Sequence, residues 1–382
     1  MRIGINGFFL DKPMTGSGQY VRHLLAEFVS LSECEVFVFC PSESAHCAAQ
    51  ELFGRECCKP IRVVPPLGGN WGKLWFEQIG IPLAARRHKV DLLHVPYFGL
   101  PLFKPCSTVV TIHDLIMLVL PQHRGSLLVR LYTSLISQAA KRANAILADS
   151  ECTKRDIASL LGISEERIQV VYLACDWSFK PVSEPRREAE IRSKYGLPDR
   201  YILYLGALDW RKNVSGLIRA MAKVEEKYPL VIAGDVPRGG GSLYPDLRRE
   251  VSEANLDDRV RFVGFVVEDE RRYLYRMATL FVFPSLYEGF GLPPLEAMAC
   301  GTPVLCSNAA SLPEVVDTGG LLFDPQDEGA LARSINMLLK DEPLRRDLSQ
   351  RGIARARLFS WRQTAEKTLD AYRKMCSIIV NS

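Results

Sequence analysis

A loop of small residues before a predicted helix carries the first candidate site. Pro293 and Pro294 can begin a helix, because the N–H that proline lacks would be unpaired in the first turn. Gly289 and Gly291 keep the preceding backbone uncovered. The pattern predicts that the amides of three residues meet an anion at the positive end of a helix dipole. Those residues are Phe290, Gly291 and Leu292.

Two carboxylates accompany this loop. Glu288 lies within it, and Glu296 falls in the first turn of the predicted helix. Carboxylate oxygens accept hydrogen bonds from sugar hydroxyls, so we expect the two side chains to line one pocket from different sides. A purely structural acid near a helix N-terminus is the alternative for Glu296.

Two adjacent cations, Arg211 and Lys212, stand between a predicted strand at 201–205 and a predicted helix at 214–228. Ligands of open α/β sheets bind beyond the carboxyl ends of the strands. Arginine can clamp a diphosphate with its planar fork and lysine as a point charge. Cations are unfavourable at a helix N-terminus. We therefore favour an anion-binding role for the two residues over the alternative that they are simply solvated surface cations. We expect Lys212 at a loop edge, outside the core.

The first half of the chain adds weaker candidates. Gly16 and Gly18 precede a predicted helix at 20–31 and could let backbone amides approach an anion. The third glycine of a dinucleotide-binding fingerprint is absent, because position 21 is Val21. His113 follows a predicted strand at 108–112, where a functional and a structural role are equally compatible with the sequence.

Short apolar runs alternate with amphipathic segments along both halves, which predicts two doubly wound α/β domains. The predicted strands of the first half are 2–6, 34–39, 62–64, 92–94, 108–112, 145–148 and 168–171, and those of the second are 201–205, 230–233, 260–263, 280–283 and 304–306. We predict an N-terminal domain over 1–180, a linker over 181–199 and a C-terminal domain over 200–360. A final helix over 361–382 is expected to pack back on the first domain.

The composition excludes several classes of protein. The net charge is +4, from 48 Lys and Arg against 44 Asp and Glu, which is too balanced for a dedicated nucleic-acid binder. The eleven cysteines form no CxxC pair, so we expect reduced thiols, no metal site and a cytoplasmic protein. No apolar run approaches the length of a membrane span. Basic and aromatic residues at 71–89 suggest either a peripheral contact with the inner face of a membrane or a helix packed on its own domain.

The residue sequences of these motifs resemble those of glycosyltransferase family 4. The run from Glu288 to Glu296 is similar to the family's Glu-x7-Glu signature, and the similarity continues to Val304. The loop from Gly206 to Asn213 resembles that of the mannosyltransferase-like branch. Thr111 to Leu115, Gly16 to Tyr20 and the Ala148-Asp149-Ser150 turn resemble further family segments. One departure is Ala207, which occupies a position where many members carry arginine.

The resemblance implies a GT-B fold, in which two Rossmann-like domains face each other across a cleft. It implies transfer of a hexose with retention of configuration, without a metal or other cofactor. Arg211 and Lys212 would neutralise the leaving diphosphate, and Glu288 and His113 would face the transferred sugar. Glu296 would bind the ribose, and Gly16, Gly18 and the amides of residues 290–292 would contact the donor.

The branch favours mannose from GDP-mannose, transferred to a saccharide or lipid-linked saccharide acceptor in polysaccharide synthesis. A UDP-sugar donor stays open. So does a non-catalytic protein that binds a nucleotide sugar, although Lys212, Glu288 and His113 argue against it. A dinucleotide oxidoreductase and a GT-B epimerase share the architecture but not these motifs.

Overall fold

The computed structural model describes residues 1–31, 34–53, 58–235 and 243–380. The chain divides into two compact units. Unit 1 combines Met1–Leu173 with Ser360–Ser382, and unit 2 is Ala174–Phe359.

Unit 1 is built on a parallel sheet whose described strands run in the order β3-β2-β1-β4-β5-β6-β7. The central strands are apolar and buried because helices cover both faces of such a sheet. The strands are Arg2–Asn6 (β1), Glu35–Cys40 (β2), Cys58–Arg62 (β3), Leu92–Val95 (β4), Ser107–Ile112 (β5), Ala145–Ala148 (β6) and Ile168–Val170 (β7).

The helices of unit 1 alternate with these strands. They are Gly16–Leu31 (α1), Glu43–Phe53 (α2), Gly69–Trp75 (α3), Ile81–Arg87 (α4), Ile116–Val119 (α5), Leu127–Lys141 (α6) and Glu151–Leu161 (α7). A π-helical turn at Phe76–Gly80 joins α3 to α4. Ser150 caps the N-terminus of α7, because its side chain accepts a hydrogen bond from the amide of Thr153.

Unit 2 repeats the arrangement, with described strands in the order β10-β9-β8-β11-β12-β13 and all neighbours parallel. The strands are Ile202–Leu205 (β8), Leu230–Ala233 (β9), Val260–Gly264 (β10), Leu280–Phe283 (β11), Val304–Ser307 (β12) and Leu321–Phe323 (β13). Its helices are Pro185–Tyr195 (α8), Val214–Met221 (α9), Leu247–Glu253 (α10), Glu268–Met277 (α11), Leu292–Ala299 (α12), Leu312–Val316 (α13), Glu328–Lys340 (α14) and Glu342–Ala356 (α15).

The last helix, Trp361–Val380 (α16), belongs to unit 1, where it packs on α1. The Tyr372 hydroxyl lies 2.6 Å from Nδ1 of the buried His94, and His94 Nε2 lies 2.8 Å from Thr111 Oγ1. Burial lowers the pKa of His94 to about 3, so the ring is neutral. This polar chain joins α16 to β4 and β5.

The predicted linker over 181–199 is not an extended connection. Most of it forms α8, whose Lys194 ammonium and Tyr195 hydroxyl lie 2.7 and 2.6 Å from the buried Glu270 on α11. These bonds offset the cost of burying a carboxylate, and they place the segment in unit 2. The division between the units falls instead between Leu173 and Ala174.

Other predicted boundaries also differ from the structure. β3 lies at Cys58–Arg62 rather than at 62–64, and α9 ends at Met221 rather than at 228. The sequence pattern predicts a helix over 243–254, whereas α10 begins at Leu247 and ends at Glu253. The sequence did not predict α2, α13, α15 or β13.

Candidate functional site

The strand order of unit 2 reverses between β8 and β11, which are hydrogen-bonded neighbours. The loops that leave the carboxyl ends of two such strands must diverge, and the crevice between them is where open α/β sheets bind ligands. The loop after β8 carries Arg211 and Lys212 in a 3₁₀ turn, Trp210–Lys212. The loop after β11 carries Glu288.

Glu288 joins the two loops through a single carboxylate oxygen. Its Oε1 lies 2.7 Å from Lys212 Nζ and 2.9 Å from Arg211 Nη1, and it accepts a 2.5 Å hydrogen bond from the Ser285 hydroxyl. The backbone adds a further bond, from the amide of Leu286 to the carbonyl of Arg211 at 2.8 Å. The sequence prediction that these three charged residues lie at one site is consistent with this arrangement.

The electrostatics of this cluster follow from its burial. Burial opposes ionisation of Glu288, but Lys212 and Arg211 outweigh it and hold the pKa of the carboxyl below its ordinary value. Burial lowers the pKa of Lys212, and Glu288 works against that shift. The Lys212 ammonium also lies 5.0 Å from the centre of the Phe283 ring.

The expected exposure of Lys212 at a loop edge is wrong. The residue is only 7% exposed, because β8 and β11 bring both loops over it. A buried ammonium is tolerated only with a partner, and Glu288 provides one. The three donor hydrogens of the ammonium leave capacity beyond the bond to Glu288.

The glycine loop is fixed in shape by Ser311. Its hydroxyl bonds to the carbonyls of Glu288 at 2.9 Å and Phe290 at 2.6 Å. Because N–H and C=O point in opposite directions across a trans peptide, the amide of Gly291 is directed away from Ser311. Gly291 has φ 122°, in a region open to glycine, and a Cβ there would lie 2.8 Å from Leu312.

Glu296 is the fifth residue of α12, so it lies in the second turn of the helix rather than the first. The helix begins at Leu292, one residue before the predicted start. Glu296 is buried, and its Oε2 accepts a 2.9 Å hydrogen bond from the Tyr275 hydroxyl. Burial raises the pKa of Glu296 to about 7, against the opposing effects of Arg271 and Tyr275. Its partners are therefore different from those of Glu288.

His113 lies in unit 1, where it follows the carboxyl end of β5. Its Nδ1 is 2.7 Å from Asp149 Oδ2, and its Nε2 is 3.0 Å from the carbonyl oxygen of Pro96. Asp149 and Pro96 follow β6 and β4, so three neighbouring strand ends converge on one imidazole. The sequence analysis placed Asp149 in a family-like turn but assigned it no role.

Both ring nitrogens of His113 face acceptors. A carbonyl oxygen only accepts, so Nε2 must carry a proton, and the Nδ1–Oδ2 contact needs a second proton. Burial by itself lowers the pKa of His113, but the carboxylate of Asp149 reverses the shift and raises it. The other oxygen of Asp149, Oδ1, is buried without a hydrogen-bond partner among the described residues.

The glycines of α1 differ from one another. The amide of Gly18 donates to Thr15 Oγ1 at 3.0 Å, and a Cβ on Gly18 would lie 2.0 Å from the carbonyl oxygen of Lys12. Gly18 is therefore required for a close backbone approach. Around Gly16, no heavy atom lies within 4 Å of where a Cβ would stand. Contact of either glycine with a ligand stays a prediction.

The described residues contain neither a metal-binding cluster nor a helix that could span a membrane. In the described ranges, no group of three or more His, Cys, Asp or Glu side chains is placed to hold a metal ion. Nor does any helix in those ranges have the length and hydropathy needed to cross a bilayer. Nine of the cysteines are free, and Cys47 is the exposed one among those nine. Cys57 lies outside the described residues.

Comparison with known proteins identifies the family. Residues 14–178 match the family described as Glycosyltransferase Family 4, and residues 187–355 match Glycosyl transferases group 1. The chain is 35% identical over 295 residues to the O-antigen chain mannosyltransferase B of Escherichia coli, which covers 76% of each protein. The chain therefore belongs to glycosyltransferase family 4, and it is an enzyme of that family.

A second relative is much longer than this chain. The serotype-specific mannosyltransferase WbdA of Escherichia coli is 34% identical over 277 residues, which covers 71% of this chain and 34% of that protein. The shared part is thus about a third of WbdA.

Solved structures show the same fold at low identity, which confirms the predicted GT-B class of two parallel-sheet α/β domains. HepE of Anabaena in complex with UDP and glucose has a TM-score of 0.76 at 20% identity, covering 98% of this chain and all of HepE. The glycosyltransferase WaaG of lipopolysaccharide biosynthesis has a TM-score of 0.72 at 17% identity, covering 97% of this chain and 99% of WaaG.

The Glu288 cluster yields a prediction on stability. Glu288→Gln keeps the size of the side chain and one acceptor oxygen, but it leaves the buried Lys212 and the partly buried Arg211 without their counter-ion. We expect the free energy of unfolding to fall by about 3–5 kcal/mol in urea titrations.

Glu328→Gln is the control, because Glu328 pairs with Arg219 at 2.6 Å and the two side chains are 32% and 52% exposed. That pair should contribute under about 1 kcal/mol. Equal losses in the two variants would show that burial does not set the strength of the Glu288 cluster.

Asp149→Asn tests the source of the His113 protonation. The variant keeps an oxygen that can accept from Nδ1 but removes the negative charge. We expect the pKa of His113, followed by NMR of the imidazole, to fall below its value in the unmodified protein.

Asp114→Asn is the control for that measurement, because Asp114 acts on His113 only through space. Its effect on the His113 pKa should be smaller than that of Asp149→Asn. An unchanged His113 pKa in Asp149→Asn would rule out the Asp149 carboxylate as the cause of the raised pKa.

Proposed function

We propose that this enzyme transfers mannose from GDP-mannose, with retention of anomeric configuration, to a hydroxyl of a saccharide or lipid-linked saccharide in polysaccharide synthesis. The observation that carries the choice of mannose is the 35% identity to an O-antigen chain mannosyltransferase. A second mannosyltransferase at 34% identity supports it.

The geometry of unit 2 supports a nucleotide diphosphate as the leaving group. Breaking the donor's glycosidic bond develops negative charge on the diphosphate, and fixed cations aimed at that charge accelerate the step. Arg211 and Lys212 stand at the switch point between β8 and β11, where such a ligand is expected. In our proposal they take up this charge without a metal ion or other cofactor.

The two glutamates take separate parts in this proposal. Glu288 Oε2, which the bonds to Lys212, Arg211 and Ser285 do not use, would accept a hydrogen bond from the transferred sugar. Glu296 Oε1, which the bond from Tyr275 does not use, would accept from the ribose. The amides of Phe290, Gly291 and Leu292 would contact the sugar and the phosphates.

His113 would lie near the transferred sugar in unit 1, and the acceptor would bind in that unit. For retention we favour attack of the acceptor hydroxyl on the face that the diphosphate leaves. The leaving phosphate then receives the acceptor's proton. NMR of the anomeric proton of the product would report the configuration.

A UDP-sugar donor is the second candidate. Its support is the structure of HepE, which is similar in fold and was solved with UDP and glucose. At 20% identity this similarity concerns the fold, so we rank the GDP-mannose proposal above it.

The raised pKa of Glu296 generates a prediction on donor binding. Ribose hydroxyls donate to a carboxylate, so the donor should bind the ionised form of Glu296, which prevails above about pH 7. The affinity for GDP-mannose should be constant above that pH and fall by up to about tenfold per pH unit below it.

Isothermal titration calorimetry across this range would measure the affinity, and GDP-mannose has no terminal phosphate to titrate alongside the protein. Glu296→Gln should bind more weakly at high pH and lose the pH dependence. A pH dependence that persists in Glu296→Gln would assign it to another group.

A thermal-shift screen tests the proposed donor itself. A ligand that binds only the folded protein at a hundredfold excess over its Kd stabilises it by about 2.7 kcal/mol. GDP should raise Tm more than UDP, ADP or NAD does. Lys212→Met should reduce the GDP shift, whereas Lys223→Met, at an exposed position of unit 2, should not.

The outcomes separate the candidates. The largest shift with UDP would replace GDP-mannose by a UDP-sugar. Binding of GDP-mannose with neither hydrolysis nor transfer to any saccharide acceptor would favour a non-catalytic role.

A further inference from the structure

The first two turns of α6 present an apolar surface to solvent. Leu127, Leu128 and Leu131 are 69%, 67% and 60% exposed, whereas the opposite face of the helix buries Ile136, Ala139 and Ala140. Residues four apart share a helix face, so Leu127 and Leu131 lie one above the other. Clustered exposed leucines are uncommon on a soluble surface and mark sites of interaction.

A second apolar group lies on the segment that contacts α6. Leu67 and Trp71, at the start of α3, are 59% and 64% exposed. Lys73 Nζ on α3 lies 5.2 Å from the centre of the Tyr132 ring on α6, and the Tyr132 hydroxyl donates to Glu77 at 2.8 Å. The leucines of α6 and the apolar start of α3 therefore belong to neighbouring elements of unit 1.

The segments that carry these residues are almost free of acidic side chains, although Asp11 of another segment lies near Leu67. Residues 115–148 contain no Asp or Glu, and residues 57–90 contain only Glu77, whose side chain is fully buried. Arg124 and Arg130 flank the exposed leucines of α6 and are themselves exposed. A partner for this surface must therefore offer apolar groups together with negative charge.

We propose that this leucine surface, made of Leu127, Leu128 and Leu131 with Arg124 and Arg130, binds the face of an anionic lipid bilayer. The leucines would enter the boundary between headgroups and acyl chains, and the arginines would meet the lipid phosphates. Leu67 and Trp71 would extend the contact, since Trp favours this boundary. The sequence suggested a membrane contact at residues 71–89. The proposed contact is instead centred on α6, and only Trp71 of that range takes part in it.

A second copy of this chain is a poorer occupant of the surface. A two-fold interface brings identical patches together. The arginines of one copy would then face those of the other without any acidic residue between them, which is unfavourable. Lipid phosphates supply the missing charge.

Sedimentation of the full chain with vesicles tests the proposal. We expect binding to phosphatidylcholine vesicles that contain phosphatidylglycerol, much weaker binding to phosphatidylcholine alone, and loss of binding at high salt. Changing Leu127, Leu128 and Leu131 together to Gln, a good helix former, should lower the partition coefficient at least about tenfold. Each of Arg124→Gln and Arg130→Gln should lower it about fivefold.

Leu160→Gln with Leu358→Gln is the matched control, since both leucines are exposed elsewhere on the chain. The control should leave vesicle binding unchanged, and melting curves should show that every variant folds. Vesicle binding of the triple leucine variant equal to that of the unmodified protein would overturn the proposal. So would leucine-dependent dimerisation without vesicle binding, measured by light scattering.

This inference goes beyond the proposed function, because vesicle binding requires no donor. Transfer to a water-soluble acceptor should be the same for the triple leucine variant and the unmodified protein. A protein that binds vesicles but transfers no mannose would reject the proposed function alone, and one that transfers mannose but ignores vesicles would reject this inference alone.

Discussion

The carboxylate of Glu288 is the interaction on which the unit 2 site depends. It holds an ammonium and a guanidinium from the loop after β8, and it stands in the loop after β11. Two cations placed side by side repel each other, and the repulsion grows as burial excludes water. With a carboxylate between them, both stay charged at the carboxyl ends of the central strands, and the two loops are fixed relative to each other.

In unit 1, other residues also connect the loops at the carboxyl ends of neighbouring strands. A parallel sheet brings the carboxyl ends of all its strands to one edge, so polar groups that follow different strands are brought together. There a single imidazole connects the ends of β4, β5 and β6 through Pro96 and Asp149. A side chain is again paired with a carboxylate that follows a neighbouring strand, and the two bonds hold the ring of His113 in a single orientation.

The sequence predicted the strands and helices whose own residues show the burial that they have in the fold. Strands buried on both faces, such as Ala145–Ala148 and Leu280–Phe283, read as short apolar runs and were placed correctly. The edge strand β3 reads Cys-Lys-Pro-Ile-Arg, and half-exposed residues with a proline give no such signal. The helix α8 is so rich in charge that it looked like a linker, since its support comes from Glu270 on a helix far along the chain.

The residues of the candidate site likewise fall into those that the sequence could predict and those that it could not. Arg211, Lys212 and Glu288 could be chosen by residue type and motif, but burial of Lys212 follows from the packing of two loops and has no local signal. Asp149 was missed as a partner of His113 for a related reason. It stands 36 residues away in the sequence, and only the pairing of β5 with β6 brings the two together. Serines at 285 and 311, which shape the Glu288 loop, look like ordinary loop residues in the sequence.

The two glutamates show how surroundings decide what one residue type can do. Glu296 is buried and the Glu288 side chain is only 12% exposed, so loss of solvent by itself would raise the pKa of either carboxyl. Glu288 faces two cations, which lower its pKa, and in the proposed function its charge would keep those cations in place for the diphosphate. Glu296 faces a tyrosine hydroxyl and only a more distant arginine, so its pKa rises to about 7. Burying a neutral carboxyl costs less free energy than burying a carboxylate, and hydroxyl donors from a ligand would supply the hydrogen bonds that favour the ionised form. Glu288 in the loop therefore carries a charge without a ligand. Glu296, eight residues later on α12, would become fully ionised when a ligand binds.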